Sequence, residues 1–381
     1  MQYVIEDLRY RFRTAFDTET GGYMRTGILD EQGRDTGIDP FMASFPHLID
    51  VGVMGHCDHG KSGPCTQAGI GCYQSGLFVS QPNMDVEDFA WIARQCEGRC
   101  TQFALGGRGD PDQHEHFEDL LRISRDNQIV PNFTTSGYGL TPELAKICAR
   151  YCGAVAVSWY RSSYTERAID LLLAAGVTTN IHYVLGKHSI DEAIARLEGN
   201  DFPDGIAAVV FLLHKPVGQG SQTDVLEASD PRVAAFFAQV ERPHPFGVGL
   251  DACSLPGALN CCTQIDLASL DTCEAARFSC YIGPDLKMTP CSFDADGHFA
   301  IQLGDSMTIA DGRFAIQLGD IMTIADGWDS EPFEHFRNTL RTACPDCARK
   351  DLCLGGCPLK PEIVLCDRQT KTNRQKQMEV L

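Results

Sequence analysis

Five cysteines near the C-terminus constrain this chain more than any other feature. Cys344, Cys347, Cys353 and Cys357 are spaced Cys-x2-Cys-x5-Cys-x3-Cys, and Cys366 follows nine residues later. Thiolates at this density are soft metal ligands, and their spacing differs from that of zinc fingers. The spacing is typical of iron–sulfur proteins, in which four thiolates hold each cubane and neighbouring cysteines can serve different clusters. It therefore predicts an iron–sulfur region at this end of the chain.

The composition supports metal ligation in a reducing compartment. The chain has 381 residues, of which 43% are hydrophobic, enough for one large domain and a smaller one. The sequence contains no apolar run of about 18 residues and no signal-peptide pattern, so we expect a cytoplasmic protein without a membrane span. In that compartment, the 18 cysteines indicate metal binding rather than disulfides. The net charge of −19 argues against a nucleic-acid partner.

Apolar runs alternate with helix-period segments through the middle of the chain. The predicted strands cover residues 47–54, 102–105, 129–134, 154–159, 179–185 and 207–213. Strands separated by helices pair in parallel through right-handed crossovers. The sequence therefore predicts an α/β fold with a partial (β/α)6 barrel of the TIM type over residues 46–245. Its working face is expected at the carboxyl ends of the strands.

The segments on either side of the predicted barrel differ from it. Residues 1–45 are polar and turn-prone, and we interpret them as an N-terminal extension with a hairpin. Residues 246–381 are rich in cysteines and turns, which predicts a second domain held together by metal. Within this domain, residues 299–313 and 314–328 are identical at 13 of 15 positions. Two copies are too few for a solenoid, so we interpret them as a local duplication or a sequence-assembly error, with one copy looping out.

Two motifs compete at the end of the first predicted strand. Residues 55–62 match the phosphate-binding pattern Gly-x4-Gly-Lys-Ser, whereas Cys57, Cys65 and Cys72 form a Cys-x7-Cys-x6-Cys group. A phosphate loop must lead directly into a helix, but a glycine and a proline follow here at once. Three thiolates, by contrast, leave one iron of a cubane with an open coordination position. We therefore favour an iron–sulfur site that binds a ligand, and keep a P-loop ATPase as an alternative.

These cysteines make the chain resemble the radical SAM superfamily. In that superfamily the open iron binds S-adenosylmethionine (SAM), and reductive cleavage releases a 5′-deoxyadenosyl radical. The C-terminal cysteine run resembles the SPASM extension of the peptide-modifying branch. The usual SAM-cluster loop is Cys-x3-Cys-x2-Cys, so the loop of this chain is expanded, and His56 and His59 are alternative ligands.

The resemblance implies a SAM site along the carboxyl ends of the strands. The candidate cofactor-binding residues are Gly106, Gly107, Gly109, Asp110, Thr135, Ser136, Ser158 and Arg161. The first four look like the glycine-rich SAM-binding turn, where glycine lets the backbone approach the cofactor closely. The hydroxyl groups end the third and fourth strands, and the arginine would pair with the cofactor carboxylate. On the fifth strand, His182 and Tyr183 are candidates to face the substrate radical.

The SPASM resemblance further implies two auxiliary [4Fe–4S] clusters besides the SAM-binding [4Fe–4S] cluster. One would be held by Cys344, Cys347, Cys353 and Cys366, and the other by Cys273, Cys291 and Cys357 together with either Cys253 or Cys280. The choice between the last two stays open. The remaining helical pairs, Cys96 with Cys100 and Cys148 with Cys152, are interpreted as buried small residues.

The reaction implied by the resemblance is hydrogen abstraction from a peptide or protein side chain, leading to a crosslink or an oxidation. An external flavodoxin- or ferredoxin-like protein would supply electrons. Ser292 stands where the formylglycine-forming branch has an aspartate, which argues against that reaction. The N-terminal extension is short for a leader-binding domain, so we expect any leader peptide to be recognised by a separate partner. The alternatives are a small-molecule or sugar dehydrogenase of the same superfamily and a non-enzymatic iron–sulfur electron-transfer protein.

Overall fold

The computed structural model of the chain describes residues 2–59, 63–75, 78–266, 269–304, 309–310, 313–314 and 321–366. Its strands are β1 (Gln2–Asp7), β2 (Phe12–Asp17), β3 (Tyr23–Arg25), β4 (Leu48–Met54), β5 (Gln102–Gly107), β6 (Val130–Thr135), β7 (Val155–Ser158), β8 (Thr179–Leu185), β9 (Ala208–Leu213), β10 (Gly247–Leu250), β11 (Ser279–Ile282), β12 (Lys287–Thr289), β13 (Ile301–Gln302), β14 (Ile309–Ala310) and β15 (Arg313–Phe314). Its α-helices are α1 (Pro64–Gln67), α2 (Val86–Cys96), α3 (Phe117–Asp126), α4 (Pro142–Tyr151), α5 (Ser163–Ala174), α6 (Ile190–Gly199), α7 (Pro231–Val240), α8 (Leu255–Cys261), α9 (Ile324–Trp328), α10 (Glu331–Arg341) and α11 (Lys350–Cys353).

Parallel strands β4 to β10 lie side by side in chain order. Because the chain advances by one strand at each right-handed crossover, helices α2 to α7 cover a single face of the sheet. The opposite face becomes the inside of a partial barrel. The six predicted strands agree with β4 to β9 to within two residues, and β10 continues the parallel sheet beyond residue 245.

Side chains of the barrel strands alternate between the two faces, as the pleat requires. In β8, Ile181, Tyr183 and Leu185 are buried against the helices, whereas Asn180 and His182 are half-buried on the inner face. The inner face carries polar groups on several strands, whereas the outer face is apolar. This division leaves the inside of the barrel available for polar ligands.

Local capping explains why the barrel helices begin where they do. The Asp85 side chain accepts a hydrogen bond from the Glu87 backbone at the start of α2, and the Thr141 side chain accepts one from Leu144 at the start of α4. Pro142 occupies the first turn of α4, where its missing N–H costs nothing.

The cysteine-rich region completes the same sheet. Strand β11 pairs in parallel with β4 on the side away from β5, and β12 and β13 follow in antiparallel register. Helix α10 packs against this edge through Arg337, whose buried guanidinium donates to the carbonyl oxygens of Ala276 and Trp328. The Trp328 indole donates to the Ala43 carbonyl oxygen at 2.9 Å. Buried polar groups are thus satisfied across the junction between the N-terminal and C-terminal parts.

The N-terminal extension forms an antiparallel sheet of β1, β2 and β3, one strand more than the predicted hairpin. Phe12 packs edge-on against Phe278, with ring centroids 6.2 Å apart. The Arg25 guanidinium lies 2.7 Å from the carboxylates of both Asp39 and Asp271. These contacts attach the extension to the cysteine-rich region. None of the helices in the described part of the chain has the length and apolar character needed to cross a membrane.

Twelve of the 30 residues of the repeated segment, 299–328, lie outside the described residues. Where it is described, identical sequence adopts different structure. Ile309–Ala310 forms strand β14, whereas the same Ile-Ala pair fifteen residues later begins helix α9. Helix α9 starts with a capping box between Thr323 and Asp326.

Candidate functional site

Four cysteines of the C-terminal run line one cavity of about 60 Å³. They are Cys344, Cys347, Cys353 and Cys366, the set that the sequence analysis assigned to one auxiliary cluster. Cys344 and Leu354 adopt left-handed backbone conformations, with φ of +49° and +48°. These turns reverse the chain on either side of α11 and so direct widely spaced cysteines toward a common space.

The residues around this cavity fit an iron–sulfur cluster. Four thiol groups line it, with Lys350, Gly355 and Val364 between them and no carboxylate or imidazole. A set of soft sulfur donors is the set that iron–sulfur clusters take. Among all described residues, no three His, Cys, Asp or Glu side chains lie close enough together to hold a single metal ion.

A second group of cysteines forms around Cys253, which follows β10 on a short 3-10 turn. The thiols of Cys253 and Cys357 are within hydrogen-bonding reach of each other. Cys291 lies beside both Cys273 and Cys253. The hydrogen bond that the Cys253 thiol donates to Cys357, together with burial, raises the pKa of Cys253, and burial raises the pKa of Cys291. Metal binding would remove these thiol protons, so cluster affinity there is linked to pH.

Cys280, the other candidate for this group, lies elsewhere. Its side chain is 1% exposed on β11, and its sulfur neighbour is Cys100, whose thiol donates to the His47 carbonyl oxygen at 3.2 Å. The geometry therefore groups Cys253, and not Cys280, with the other three cysteines. Cys96, Cys100 and Cys148 are buried, in agreement with their interpretation as core residues, and Cys152 is half-buried.

The third group lies at the carboxyl ends of β4 to β6. Cys65 is close to Cys72 and to Asp110, and burial raises its pKa. Cys57 is half-buried, and its Cα would lie 3.5 Å from a Cβ added at Gly109. Cys57 and Cys65 therefore lie beside the glycine-rich turn after β5, and Cys72 lies next to Cys65. Residues 60–62, which complete the phosphate-binding pattern, lie outside the described residues.

The glycine-rich turn needs its glycines to approach the end of β4. Gly107 has φ of +118°, and a Cβ there would meet the Met54 carbonyl oxygen at 2.5 Å. A Cβ at Gly109 would meet the His56 carbonyl oxygen at 2.6 Å. For Gly106, the added atom would meet nothing within 4 Å, so its predicted role is not explained by packing. Only glycine combines the conformation and the space that Gly107 requires.

Asp110 connects this turn to the neighbouring strands. Its carboxylate accepts a hydrogen bond from the Ser136 backbone N–H at 2.9 Å and a second from the Ser136 hydroxyl. The His59 Nε2 lies 3.3 Å from the Asp110 Oδ2, the oxygen that also accepts from the Ser136 hydroxyl. Thr135 is buried, and its hydroxyl accepts from the Gly137 backbone at 2.9 Å. The structure thus brings together four of the residues named from the sequence: Gly107, Gly109, Asp110 and Ser136.

Arg161 is paired within the protein. Its Nε donates to the Glu192 carboxylate at 2.5 Å, and a terminal nitrogen donates to the Tyr183 hydroxyl at 3.3 Å. Ser158 ends β7 opposite His182 of β8. Burial lowers the pKa of His182 to about 4, and its Nδ1 lies 3.2 Å from the Thr134 hydroxyl. Of the two candidates on β8, His182 is therefore on the inner face and Tyr183 is not.

Several polar residues near these cysteine groups were not predicted from the sequence. Asp50 lies on the inner face of β4, in register with Tyr281 of β11, and burial raises its pKa to about 7. Tyr73 follows Cys72 and stacks on Phe293 with ring centroids 4.7 Å apart. The one available signal was a lone carboxylate inside the apolar strand Leu48–Met54.

No protein-family model and no curated protein sequence matches the chain. Among solved structures, it is similar to Streptococcus suis SuiB bound to the precursor peptide SuiA, with 14% identity and a TM-score of 0.64 over 96% of this chain and all of that one. SuiB bound to S-adenosylmethionine has 17% identity and a TM-score of 0.57 over 86% of this chain and 78% of that one. Polyhistidine-tagged anSMEcpe with bound AdoMet has 16% identity and a TM-score of 0.55 over 87% of this chain and 92% of that one.

The chain has the SuiB fold. The predicted partial barrel followed by a cysteine-rich region is thereby confirmed. Of the two SuiB structures that are similar to this chain, one is bound to S-adenosylmethionine and the other to the precursor peptide SuiA.

Proposed function

We propose that the chain is a radical SAM enzyme of the SPASM branch that abstracts hydrogen from a peptide or protein side chain. The observation that carries this proposal is the grouping of cysteines in the structure. Cys57 and Cys65 lie beside the glycine-rich turn of the barrel with Cys72 next to Cys65, and two further groups lie in the region that completes the sheet. The SuiB fold, observed with SAM in one structure and with a precursor peptide in another, supports the same function.

Cys57, Cys65 and Cys72 would hold the SAM-binding cluster. Bound together, that cluster and SAM supply a 5′-deoxyadenosyl radical, which is the chemistry of the cofactors rather than of the protein. The protein contributes position and exclusion of water. Gly107 and Gly109 allow close approach of the backbone, and the Asp110 carboxylate is held in place by Ser136. Thr135, Ser158 and Arg161 remain predicted cofactor contacts.

We assign the auxiliary clusters to two sets of four cysteines. The cavity-lining set is Cys344, Cys347, Cys353 and Cys366, and the second set is Cys253, Cys273, Cys291 and Cys357. The contact between the thiols of Cys253 and Cys357 supports Cys253 over Cys280. We expect each set to hold an iron–sulfur cluster in the cytoplasm, where thiols stay reduced. A flavodoxin- or ferredoxin-like protein is the proposed electron donor.

The inner face of the barrel is the proposed substrate site. Asp50, Thr134 and His182 offer hydrogen-bonding groups between the SAM turn and the second cysteine set. A peptide backbone or polar side chain would find partners there, and the apolar outer face stays covered by helices. The alternative within the same superfamily is a small-molecule or sugar substrate, which mass spectrometry of the products distinguishes from a peptide.

The first test is SAM cleavage by the anaerobically reconstituted protein with dithionite. We expect 5′-deoxyadenosine from the unmodified chain, and none from a variant with Cys57, Cys65 and Cys72 all changed to Ala. That variant should retain the iron and sulfide of both auxiliary sets, because its substitutions lie in the barrel. Iron–sulfur content without any 5′-deoxyadenosine would favour the electron-transfer alternative. ATP hydrolysis that Lys61→Ala abolishes would favour the P-loop alternative.

A further inference from the structure

A lysine is buried next to the second cysteine set. Lys215 follows β9, and only 6% of its surface is exposed. Its ammonium donates to the Leu213 carbonyl oxygen at 2.9 Å and to the Asp251 carboxylate at 2.7 Å. Lysine is rarely buried, because desolvating its charge costs free energy that its partners must offset. A fully buried ammonium near proposed cluster ligands therefore calls for a physical explanation.

The position of this ammonium is fixed on several sides. Asp251 accepts hydrogen bonds from the backbone N–H groups of Leu213 and Ser254, both at 3.1 Å, and from the Ser254 hydroxyl at 2.7 Å. The Lys215 Nζ also lies 4.4 Å from the centre of the Phe293 ring, within cation–π distance. Asp251 begins the 3-10 turn that carries Cys253. The charge and the cysteine are thus held by the same few residues.

Two members of the second cysteine set are electrostatic neighbours of this charge. Cys253 and Cys357 both interact with Lys215. The ammonium contacts the ring of Phe293, two residues after Cys291, and binds Asp251, which caps the turn that carries Cys253. Its positive charge is therefore buried between the segments that carry two of the four cysteines.

The other cysteine set has a cation of a different kind. Lys350 lines the cavity formed by Cys344, Cys347, Cys353 and Cys366, but its side chain is exposed. Water and salt screen an exposed charge, whereas a buried charge acts through a medium of low dielectric constant. The two cysteine sets thus differ in the field that a lysine exerts on them.

We propose that Lys215 is a positioning residue that raises the reduction potential of the cluster held by Cys253, Cys273, Cys291 and Cys357. The inference rests on the proposed function, which places a cluster at these cysteines. Reduction adds a negative charge to a cluster, and a fixed cation nearby stabilises that charge. Net charge and burial are known determinants of iron–sulfur potentials. Lys215 would therefore make this set, rather than the cavity of Cys344, the preferred acceptor of an electron.

The test is a potentiometric titration of the full-length, anaerobically reconstituted protein, followed by electron paramagnetic resonance. The titration uses the background in which Cys57, Cys65 and Cys72 are changed to Ala, so that the two auxiliary signals are observed alone. Cys291→Ala and Cys347→Ala identify which signal belongs to which set. Lys215→Met is expected to lower the midpoint potential of the Cys291-dependent signal by at least about 59 mV, which is a tenfold change in a one-electron equilibrium constant.

Three further variants make the result specific. Lys215→Arg keeps the charge and should retain the unmodified potential more closely than Lys215→Met. Lys215→Gln removes the charge but keeps a hydrogen-bond donor, so it should show the negative shift even if Lys215→Met does not fold. Lys350→Met is the matched control, and it should leave the Cys291-dependent potential unchanged.

Two outcomes would overturn the inference, and they are distinguishable. Unchanged potentials in Lys215→Met and Lys215→Gln, with both clusters present, would contradict the role of Lys215 and leave the proposed function intact. A protein with iron and sulfide for only one auxiliary cluster, and no Cys291-dependent signal, would contradict the proposed ligand assignment itself.

Discussion

Asp50 belongs to the proposed substrate site, and the burial of its carboxyl group lowers the stability of the folded protein at neutral and higher pH. It lies on the inner face of β4, and burial raises its pKa from 3.8 to about 7. No hydrogen bond or ion pair to its carboxylate is found within the described residues. A carboxyl group in such surroundings is typical of sites that bind or exchange protons with a ligand.

Asp50→Asn should stabilise the folded protein at pH 8. Because the folded-state pKa is above the unfolded one, the folded state holds this proton more tightly, and stability falls as pH rises from about 4 to about 7. The variant lacks that loss, so its unfolding midpoint should exceed that of the unmodified chain at pH 8 and match it near pH 4. Thermal unfolding across this range measures the difference. A constant difference at every pH would contradict the assignment.

At the residue scale, the sequence predicted the cysteine groups better than the polar residues with carboxyl or hydroxyl groups. Cysteine clusters carry their own signal, because dense thiols in a reducing compartment imply metal. The members of each set that the resemblance implied also lie near one another in the structure. Asp50 and Tyr281 have no such signal, since each is an ordinary residue until the pairing of β4 with β11 brings the two into register. The pairing of Arg161 with Glu192 was equally unreadable, because it joins residues 31 positions apart.

At the scale of elements, strands β4 and β11 pack closely against each other where Gly52 faces Tyr281. A Cβ added at Gly52 would overlap the Tyr281 hydroxyl group. Since neither strand can move without disturbing its other neighbour, glycine at position 52 is required by packing rather than by backbone conformation.

Gly52→Ala should therefore destabilise the protein by about 1–3 kcal/mol, the usual cost of overpacking. Tyr281→Phe removes the overlapping oxygen, so the double variant should recover part of the loss. Denaturant unfolding measures both. Gly199→Ala is the matched control, because a Cβ there meets only the Asp201 Cβ at 3.8 Å. Equal losses for Gly52→Ala with and without Tyr281→Phe would contradict this packing.

The elements that the sequence predicted well are those with local signals. Each of β4 to β9 is an apolar run bounded by a helix, and the structure confirms all six. Strands β11 to β13 are two to four residues long, and β11 pairs with the distant β4, so their own residues say little about them. The Ile-Ala pair of the repeat, which is a strand in β14 and a helix in α9, shows that surroundings override local preference.

At the scale of the whole molecule, the barrel and the cysteine-rich region share one sheet. Strand β10 extends it past β9, and β11 extends it past β4. Cutting the chain at residue 245 would therefore uncover the edge of β9 that pairs with β10 and the edge of β4 that pairs with β11. An uncovered parallel strand presents unpaired backbone groups and apolar side chains to other molecules.

A fragment that ends at residue 245 is accordingly expected to aggregate. It would expose the free edge of β9 and the edge of β4 that normally pairs with β11. Soluble yield and size-exclusion chromatography, compared with the full chain, measure this. A monodisperse fragment that retains SAM-cluster iron would show that the barrel folds alone, in support of the predicted boundary.

The pairing of β11 with β4 has a consequence for which molecules can react. The glycine-rich turn lies at one end of this strand pair and its neighbours, and Cys291 follows β12 on the same sheet. Hydrogen-bonded strands do not stretch, so the span from the turn to that sulfur atom is constant. A peptide substrate of the proposed enzyme that must reach across this span would be selected for its length before any of its side chains is recognised.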